Sequence, residues 1–336
     1  MAMISLNIKP RGRPLKNLPE TLDFDLSTAS TTALYEQIAK HTRLNQNRLR
    51  ITKGSDGRPV SLKRDDGKLV TIEETGLRNG SQIFVKDLGP QIAWRTVFIV
   101  EYLGPLLIHP LFLYLRPLIY SASAYNPLSY LPFNASSSTA LIPAPTTTQL
   151  VLCTLCTLHF LKREYETVCV HRFSAATMPA TNIFKNSAHY WVLSGLNLAY
   201  YLYAPGSIAA SWWPAALNAD LNPTVRYAAI ALWAWAEISN YATHITLRNL
   251  RPEDGSTKRQ IPKGYGFDLV TCPNYLFESL AWLAIVVLGG GNMSTLIFFA
   301  VSTGQMLLWA KKKESRYRKE FGSAYRKKAS MIPGIW

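Results

Sequence analysis

The sequence has few cysteines, and it lacks the short motifs of several large enzyme classes. Four cysteines in 336 residues are too few for a disulfide framework. No Gly-x-Gly-x-x-Gly follows a predicted strand, and a P-loop, a His-Glu-x-x-His zinc motif and a Gly-x-Ser-x-Gly elbow are all missing. A Rossmann domain is therefore unsupported, so helices would have to hold any bound nucleotide. No metal site is predicted, and packing inside a helix is favoured over redox or metal chemistry for Cys153 and Cys156.

Acidic residues are scarce in the second part of the chain. Before about Pro90 there are 15 Lys and Arg against 10 Asp and Glu, whereas only eleven acidic residues follow Trp94, where long apolar runs dominate. The formal net charge is +15. The basic residues flank apolar segments instead of lining an aromatic surface, which disfavours nucleic acid as a partner. Orientation in a membrane and binding of anionic ligands are the favoured explanations of the charge.

The first part, residues 1–90, has the pattern of a small soluble domain. Residues 3–8 alternate between apolar and polar, residues 31–42 have apolar positions at helical spacing, and residues 82–85 are strand-like. A hairpin, a helix and further strands in this order resemble the ubiquitin-like β-grasp domain. No di-glycine tail follows, so we expect a docking or folding module and not a conjugated one.

Residues 91–336 are predicted to form a multi-span α-helical membrane domain, so the fold class is a multi-span membrane protein with an N-terminal ubiquitin-like β-grasp domain. A spanning helix needs about 20 apolar residues, with about 17 tolerated. Six segments approach this length: 94–115, 145–161, 190–213, 225–246, 275–288 and 293–310. Basic residues collect in alternate connections and after the last segment, which places both termini in the cytosol. A seventh span within 168–188 is the alternative.

A stripe of polar residues runs along the fourth apolar segment. Glu237, Asn240, His244, Arg248 and Arg251 fall within a sector of about 80° on a helix. The stripe could neutralise itself by internal pairing, or it could line a ligand cavity. Because arginine forks suit phosphate groups, the two terminal arginines favour a cavity.

A second polar cluster lies at the end of the second apolar segment. His159, Lys162, Arg163 and Glu166 share one helical face. The simpler alternative is that the basic residues extend toward water and that Lys162 pairs with Glu166 on the same helix.

The segment 264–282 runs from a glycine-rich loop into an apolar helix. Pro273 is placed for the first turn of that helix. Tyr275, Glu278 and Trp282 then share one helical face. A phenol and an acid on a membrane helix are costly, which makes this segment a candidate site.

Several of these motifs resemble those of the steroid 5α-reductase superfamily, specifically its very-long-chain trans-2-enoyl-CoA reductase branch. The closest block is Cys272-Pro273-Asn274-Tyr275 with Glu278. Further matching blocks lie within residues 94–105, 162–186, 240–252 and 317–333. Together with the N-terminal domain, they extend over nearly the whole chain. Related steroid reductases tend to have an aspartate where this chain has His244, which suits the enoyl-CoA branch.

The resemblance implies NADPH-dependent reduction of the acyl-CoA double bond in the last step of fatty-acid elongation. Tyr275 is then the expected proton donor, and Lys162, Arg163 and Glu166 are expected to orient Tyr275 or the cofactor. The expected cofactor-binding residues are Asn240, His244, Arg248, Arg251, Arg316 and Tyr317.

The resemblance also implies a location and partners. We expect a multi-pass protein of the endoplasmic reticulum membrane that works in the lipid bilayer beside the condensing enzyme, the ketoacyl-CoA reductase and the dehydratase of the same cycle. Two alternatives remain open. One is an integral-membrane methyltransferase dependent on S-adenosylmethionine, and the other is a non-enzymatic ubiquitin-like membrane adaptor.

Overall fold

The computed structural model describes residues 3–25, 29–64, 67–121, 142–173, 176–208, 212–251 and 260–335. The chain divides into two units. The first comprises Met1–Thr96, Arg172–Asn182 and Asn249–Gln260. The second comprises Val97–His171, Ile183–Arg248 and Ile261–Trp336.

The first unit contains a four-stranded mixed sheet with one helix. Its elements are β1 (Met3–Pro10), β2 (Thr21–Asp25), α1 (Thr31–Thr42), β3 (Leu49–Lys53) and β4 (Gln82–Asp87). The strand order is β2-β1-β4-β3, with β1 and β4 parallel and the other two pairs antiparallel. The alternation in β1 turns Ile4, Leu6 and Ile8 into the core. This arrangement agrees with the β-grasp order that the sequence predicts.

Helix α1 begins and ends at recognisable capping residues. The Ser30 side chain accepts a hydrogen bond from the Ala33 backbone N–H at 3.2 Å, which satisfies one of the free donors at the helix start. Arg43 ends the helix in the left-handed conformation, with φ 56°. Leu34 and Ile38 are fully buried, and each contributes about 1.5–3 kcal/mol through removal of its side chain from water.

A second, two-stranded sheet in this unit joins parts of the chain that are distant in sequence. Strand β5 (Gln91–Ala93) pairs antiparallel with β6 (Thr177–Pro179). The short motif around Met178, which is too polar for an ordinary loop, is therefore held in place by backbone pairing.

The second unit is helical. Its helices are α2 (Trp94–Tyr114), α3 (Arg116–Ile119), α4 (Thr147–Tyr165), α5 (Asn182–Ser187), α6 (Leu198–Leu202), α7 (Pro223–Asn249), α8 (Pro273–Leu288) and α9 (Met293–Phe321). Two π-helical segments, Glu166–Val170 and Ala188–Asn197, follow α4 and α5. Of the apolar segment predicted at 190–213, the described residues are helical only as far as Leu202. Cys153 and Cys156 are buried free thiols inside α4, as predicted.

Close packing sets the spacing of α2 against the π-helical segment Ala188–Asn197. A Cβ atom on Gly104 would lie 2.4 Å from the Trp191 ring. The Trp191 indole N–H donates to the Val100 carbonyl at 2.7 Å. Only glycine leaves room for this contact, which gives the Gly104-Pro105 pair of the sequence a structural role.

The C-terminal tail holds the start of α8 in place. Backbone N–H groups of Thr271 and Cys272 donate to the Ala329 and Ser330 carbonyls, each at 2.9 Å. The Tyr325 hydroxyl donates to Glu314 Oε2 at 2.5 Å, and the Thr271 hydroxyl donates to the same oxygen. The turn that carries Pro273 and Tyr275 is thereby anchored to α9 and to the tail.

Within the described residues, two helices are long and apolar enough to cross a membrane: Trp94–Tyr114 and Met293–Ala324. Helix α8 is apolar but shorter. Helices α4 and α7 have sufficient length, but their polar stripes lower the mean hydropathy. The six-span arrangement thus stays a prediction, and two of its six segments have the length and composition that a span requires.

Candidate active site

Buried ion pairs join the C-terminal end of α4 to α7. Glu237 accepts a hydrogen bond from His159 Nδ1 at 2.6 Å through one carboxylate oxygen. Its second oxygen lies 2.5 Å from Lys162 Nζ. The Lys162 ammonium also donates to Asn240 Oδ1 at 2.7 Å. Side chains three or four residues apart share a helical face, so these two polar stripes meet face to face.

Arg163 is the centre of a neighbouring set of contacts. Its guanidinium donates to Glu166 Oε2 at 2.7 Å and to the Tyr102 hydroxyl at 2.8 Å. The guanidinium carbon also lies 5.0 Å from the centre of the Tyr102 ring. A planar guanidinium has several donors in a fixed plane, so it can bind the carboxylate and the hydroxyl while it stays close to the aromatic ring.

Glu166 is fully buried and accepts hydrogen bonds on both oxygens. Its second donor is His244 Nδ1 at 2.9 Å. Burial alone would raise the pKa of Glu166, but the hydrogen bond from His244 and the charges of Arg163 and Lys162 hold that pKa well below its usual range. Glu166 is therefore ionised at neutral pH.

Three residues of this region also lie close enough to share a metal ion. Ligand atoms of Glu166, His171 and His244 fall within 4.8 Å of one another. Burial first, and then the charge of Arg163, lower the pKa of His171 to about 3, so the ring is neutral. Both Glu166 oxygens already accept from Arg163 and His244, however, and a cation there would face the Arg163 guanidinium at close range. The donor set therefore suits a structural ion-pair cluster better than a metal.

Helix α8 contributes a carboxylate and an aromatic ring to the same cluster. Asn240 Nδ2 donates to the Asn274 carbonyl at 2.8 Å and to Glu278 Oε2 at 3.2 Å. Glu278 Oε1 lies 3.3 Å from His159 Nε2. The Trp282 ring centre lies 4.9 Å from that of His159. The predicted inward face of α8 is thus confirmed at Glu278 and Trp282.

Tyr275 is partly buried at the first turn of α8. It packs against an apolar cluster that contains Cys272, Met306 and Ala310, and the Trp309 ring centre lies 6.3 Å from its own. Among the described residues, no group makes a hydrogen bond to its hydroxyl. Lys162, Arg163 and Glu166 thus make no described hydrogen bond to Tyr275, and the expectation that they orient Tyr275 or the cofactor stays a prediction.

Two buried acceptor oxygens near the cluster have no hydrogen-bond partner within the described residues. They are Glu101 Oε1 on α2 and Asn274 Oδ1 on α8. The Asn274 backbone carbonyl binds Asn240, as described above, and the charge of Arg163 acts on Glu101. The Asn186 side chain also makes a hydrogen bond to Glu101. Unpaired buried acceptors are costly, so each of the two atoms could accept a hydrogen bond from a bound molecule.

The remaining predicted cofactor residues lie elsewhere. Arg248 is half-buried at the end of α7, and Arg251 belongs to the first unit, where its carbonyl accepts from Arg172 at 2.5 Å. Tyr317 is buried against Tyr325. Arg316 is exposed and lines a surface cavity on α9. Arg316 points about 100° away from the buried Tyr317 around the axis of α9. The structure thus does not bring Arg316 together with the cluster.

The sequence places Glu237 and Glu278 on polar helical faces but gives them no individual role, and it singles out neither Tyr102 nor Tyr190. Glu237 and Glu278 had a signal, since each is three residues from a selected residue on the same helical face. Tyr102 and Tyr190 had none, because a tyrosine in an apolar helix is usual. The structure places the Tyr190 ring centre 5.0 Å from that of Tyr102.

Comparisons with known proteins agree with the resemblance that the motifs predict. Residues 176–336 match the family described as 3-oxo-5-alpha-steroid 4-dehydrogenase. A Schizosaccharomyces pombe protein named "Putative enoyl reductase" is 44% identical over 330 residues, which cover 98% of this chain and 99% of that protein.

Two further relatives have more specific names. The "Very-long-chain enoyl-CoA reductase" of Dictyostelium discoideum is 37% identical over 91% of this chain and 92% of its own length. The "Probable very-long-chain enoyl-CoA reductase" of Caenorhabditis elegans is 34% identical over 95% of each chain. With its motifs, its buried polar cluster and these relatives, the chain belongs to the very-long-chain enoyl-CoA reductase family of the steroid 5α-reductase superfamily.

Proposed function

We propose that this protein uses NADPH to reduce the 2,3 double bond of very-long-chain trans-2-enoyl-CoA in the last step of the fatty-acid elongation cycle. Reduction of an enoyl-CoA follows from the family. The structural observation that supports it best is the buried cluster around Lys162, Arg163 and Glu166, together with the Tyr275 hydroxyl, to which no described residue makes a hydrogen bond. The bilayer and the other enzymes of the cycle are the partners that this function implies.

The residues present fit a nicotinamide cofactor. The two unpartnered acceptors, Glu101 Oε1 and Asn274 Oδ1, suit donors such as the carboxamide NH₂ group. Arg248, at the end of the α7 stripe, offers a fork for a phosphate group. When bound, the cofactor supplies a hydride equivalent to the β-carbon of the substrate.

The chain itself must supply a proton and must stabilise negative charge. Charge develops on the thioester oxygen and the α-carbon during reduction. We assign proton donation at the α-carbon or the enolate to the Tyr275 hydroxyl, since no described residue engages it. The cations Lys162 and Arg163 are held rigidly by Glu237 and Glu166. Fixed charges of this kind stabilise a developing anion without having to reorganise.

A direct assay tests the proposal. The purified protein is incubated with a long-chain trans-2-enoyl-CoA and NADPH, and the loss of NADPH absorbance is followed together with formation of the saturated acyl-CoA. We expect both to occur at matched rates. A methyltransferase would instead consume S-adenosylmethionine and leave NADPH intact, and an adaptor would do neither.

Arg248→Ala is expected to raise the Michaelis constant for NADPH by roughly tenfold or more, because a charge-assisted hydrogen bond contributes about 1.5–3 kcal/mol. The matched control is Arg226→Ala, which removes the same side chain from the first turns of the same helix. Steady-state kinetics with NADPH as the varied substrate measure both. If Arg248→Ala leaves the constant unchanged in a well-folded protein, Arg248 is not a cofactor ligand.

We also propose that the chain spans the endoplasmic reticulum membrane six times. Large apolar side chains are exposed on the long helices that fall short by hydropathy, among them Leu158 on α4 (45% exposed) and Ile238 on α7 (69%). Such surfaces are unusual on a soluble protein and suit contact with lipid.

Tags at both termini are therefore expected to be digested by protease in sealed microsomes, since basic connections favour the cytosolic side. A lumenal control protein in the same vesicles should stay protected. A protected C-terminal tag would contradict six spans and favour seven. The glycan acceptor that begins at Asn134 lies outside the described residues, and its expected side is the lumen.

A further inference from the structure

The outward face of α9 changes abruptly from apolar to basic along its length. Ile297, Val301 and Leu308 are 47%, 48% and 53% exposed. Their spacings of four and seven residues place them on one side of the helix. Lys312, Ser315 and Lys319 continue the same side at spacings of four, three and four residues, and all three are exposed.

The basic end of this face contains a cavity. Lys312, Ser315, Arg316, Lys319 and Glu320 line an open depression of about 390 Å³. The lining carries three cations and one carboxylate, so its net charge is positive.

We infer that this face of α9 binds an anionic phospholipid, with the phosphate group in the cavity and an acyl chain along Ile297, Val301 and Leu308. Neither the catalytic cluster nor the family relationship assigns such a site. A phosphate group between three cations is favoured by charge, and an acyl chain on three exposed apolar residues is favoured by the hydrophobic effect.

The dimensions of the helix support this placement. A helix rises about 1.5 Å per residue, so the apolar stretch 293–310 is about 27 Å long, close to the thickness of ~30 Å of the hydrocarbon layer. Lys312 then follows Leu308 by about 6 Å. Trp309, half exposed at this boundary, is a residue typical of the membrane–water interface.

The same geometry separates this site from the catalytic one. Tyr275 packs with Met306 and Ala310. Each of these two residues is about 160° from Leu308 around the helix axis. Lys312, Ser315 and Lys319 are likewise about 120–180° from Met306 and Ala310. An anion held by the two lysines is therefore on the outward side of α9, which favours a lipid over the substrate or the cofactor.

Two simpler effects account for cations at this position without any ligand. Basic residues complement the dipole at a helix C-terminus, and they orient a spanning helix. Neither effect requires the cations to lie on the same side of the helix as the exposed apolar residues. Neither predicts that substitutions on this side alone would abolish a preference for anionic over zwitterionic lipids.

The test is native mass spectrometry of the purified full-length protein in detergent, with added phosphatidylserine or phosphatidylcholine of identical acyl chains. We expect retention of phosphatidylserine to exceed that of phosphatidylcholine by roughly tenfold at low salt. The variant with Lys312→Gln, Arg316→Gln and Lys319→Gln should lose this preference. The control variant with Arg318→Gln, Arg326→Gln and Lys327→Gln removes the same amount of charge from nearby exposed positions and should keep the preference for phosphatidylserine. The single substitution Lys312→Glu should weaken that preference.

Several outcomes would overturn the inference. One is equal retention of the two lipids by the unmodified protein, and another is an equal loss in the two triple variants, which would show a diffuse charge effect. Displacement of phosphatidylserine by equimolar inorganic phosphate would show an anion site without lipid. Displacement by equimolar NADPH would assign the cavity to the cofactor.

Discussion

Tyr275→Phe is expected to lower turnover of a long trans-2-enoyl-CoA by about 10²–10⁴-fold, the usual contribution of a general acid. The substitution removes one oxygen, and no described residue makes a hydrogen bond to that oxygen. The packing of the ring against the apolar cluster of Cys272, Met306 and Ala310 stays in place. Folding and NADPH binding are therefore expected to survive, and rapid-mixing kinetics can measure the chemical step separately from cofactor affinity.

The matched control is Tyr265→Phe in the loop that leads to α8. The Tyr265 hydroxyl bonds to Ser239 at 2.7 Å, and its ring stacks on Phe277. Loss of this half-exposed contact should cost little stability and leave turnover near normal. A Tyr275→Phe protein that turns over as fast as the control would assign the proton to another donor.

Glu166→Gln is expected to reduce both stability and turnover strongly. Removal of one partner from a buried ionic cluster typically costs about 3–5 kcal/mol, because the remaining charges lose their compensation. Arg163, Lys162 and His244 would be affected together. We expect the melting temperature in detergent to fall by roughly 5–10 °C. Turnover should fall as well, since Arg163 loses its fixed position.

The dependence on pH distinguishes this effect from simple loss of packing. The pKa of Glu166 is lowered in the folded protein, so its ionisation stabilises the fold above the unfolded pKa of about 4.3. That contribution disappears as the pH falls through the lower, folded pKa. The difference between the original protein and the variant should therefore be constant from pH 5 to pH 8 and shrink in stronger acid.

Glu164→Gln is the matched control for this variant. It makes the same substitution two residues earlier, in the last turn of α4, at a carboxylate with one oxygen that makes no hydrogen bond to the described residues. We expect a melting temperature close to that of the original protein. An equal fall in melting temperature in the two variants would mean that the ion pairs of Glu166 make no specific contribution to stability.

The local features of this protein could be predicted from its sequence. Alternation at Ile4, Leu6 and Ile8 predicts a strand with one buried face, and Pro273 predicts the start of α8. The spacing of Glu237, Asn240 and His244 predicts one polar helical face, and all three are buried on that face. These predictions succeed because strand and helix periodicity depend on residues only a few positions apart.

Partners across the fold were decided by tertiary structure alone. The sequence suggests Lys162 and Glu166 as a pair, and their charged atoms do lie 3.8 Å apart, but Glu237 is closer at 2.5 Å. The contact between Arg163 and the Tyr102 hydroxyl joins residues 61 positions apart. The rotation of each helix about its axis sets which side chains meet, and that rotation follows from packing of the whole core.

The same reason explains the outcome for Tyr275 and Arg316. Periodicity places Tyr275 on the same helical face as Glu278 and Trp282. Only the packing of α8 decides that Glu278 joins the cluster, whereas no described residue makes a hydrogen bond to the Tyr275 hydroxyl. The sequence predicts that Arg316 is a cation near the end of α9, but only the tertiary structure shows that its side chain lines an exposed cavity. Sequence thus determined which residue types share each helical face, whereas packing of the helices determined what each face contacts.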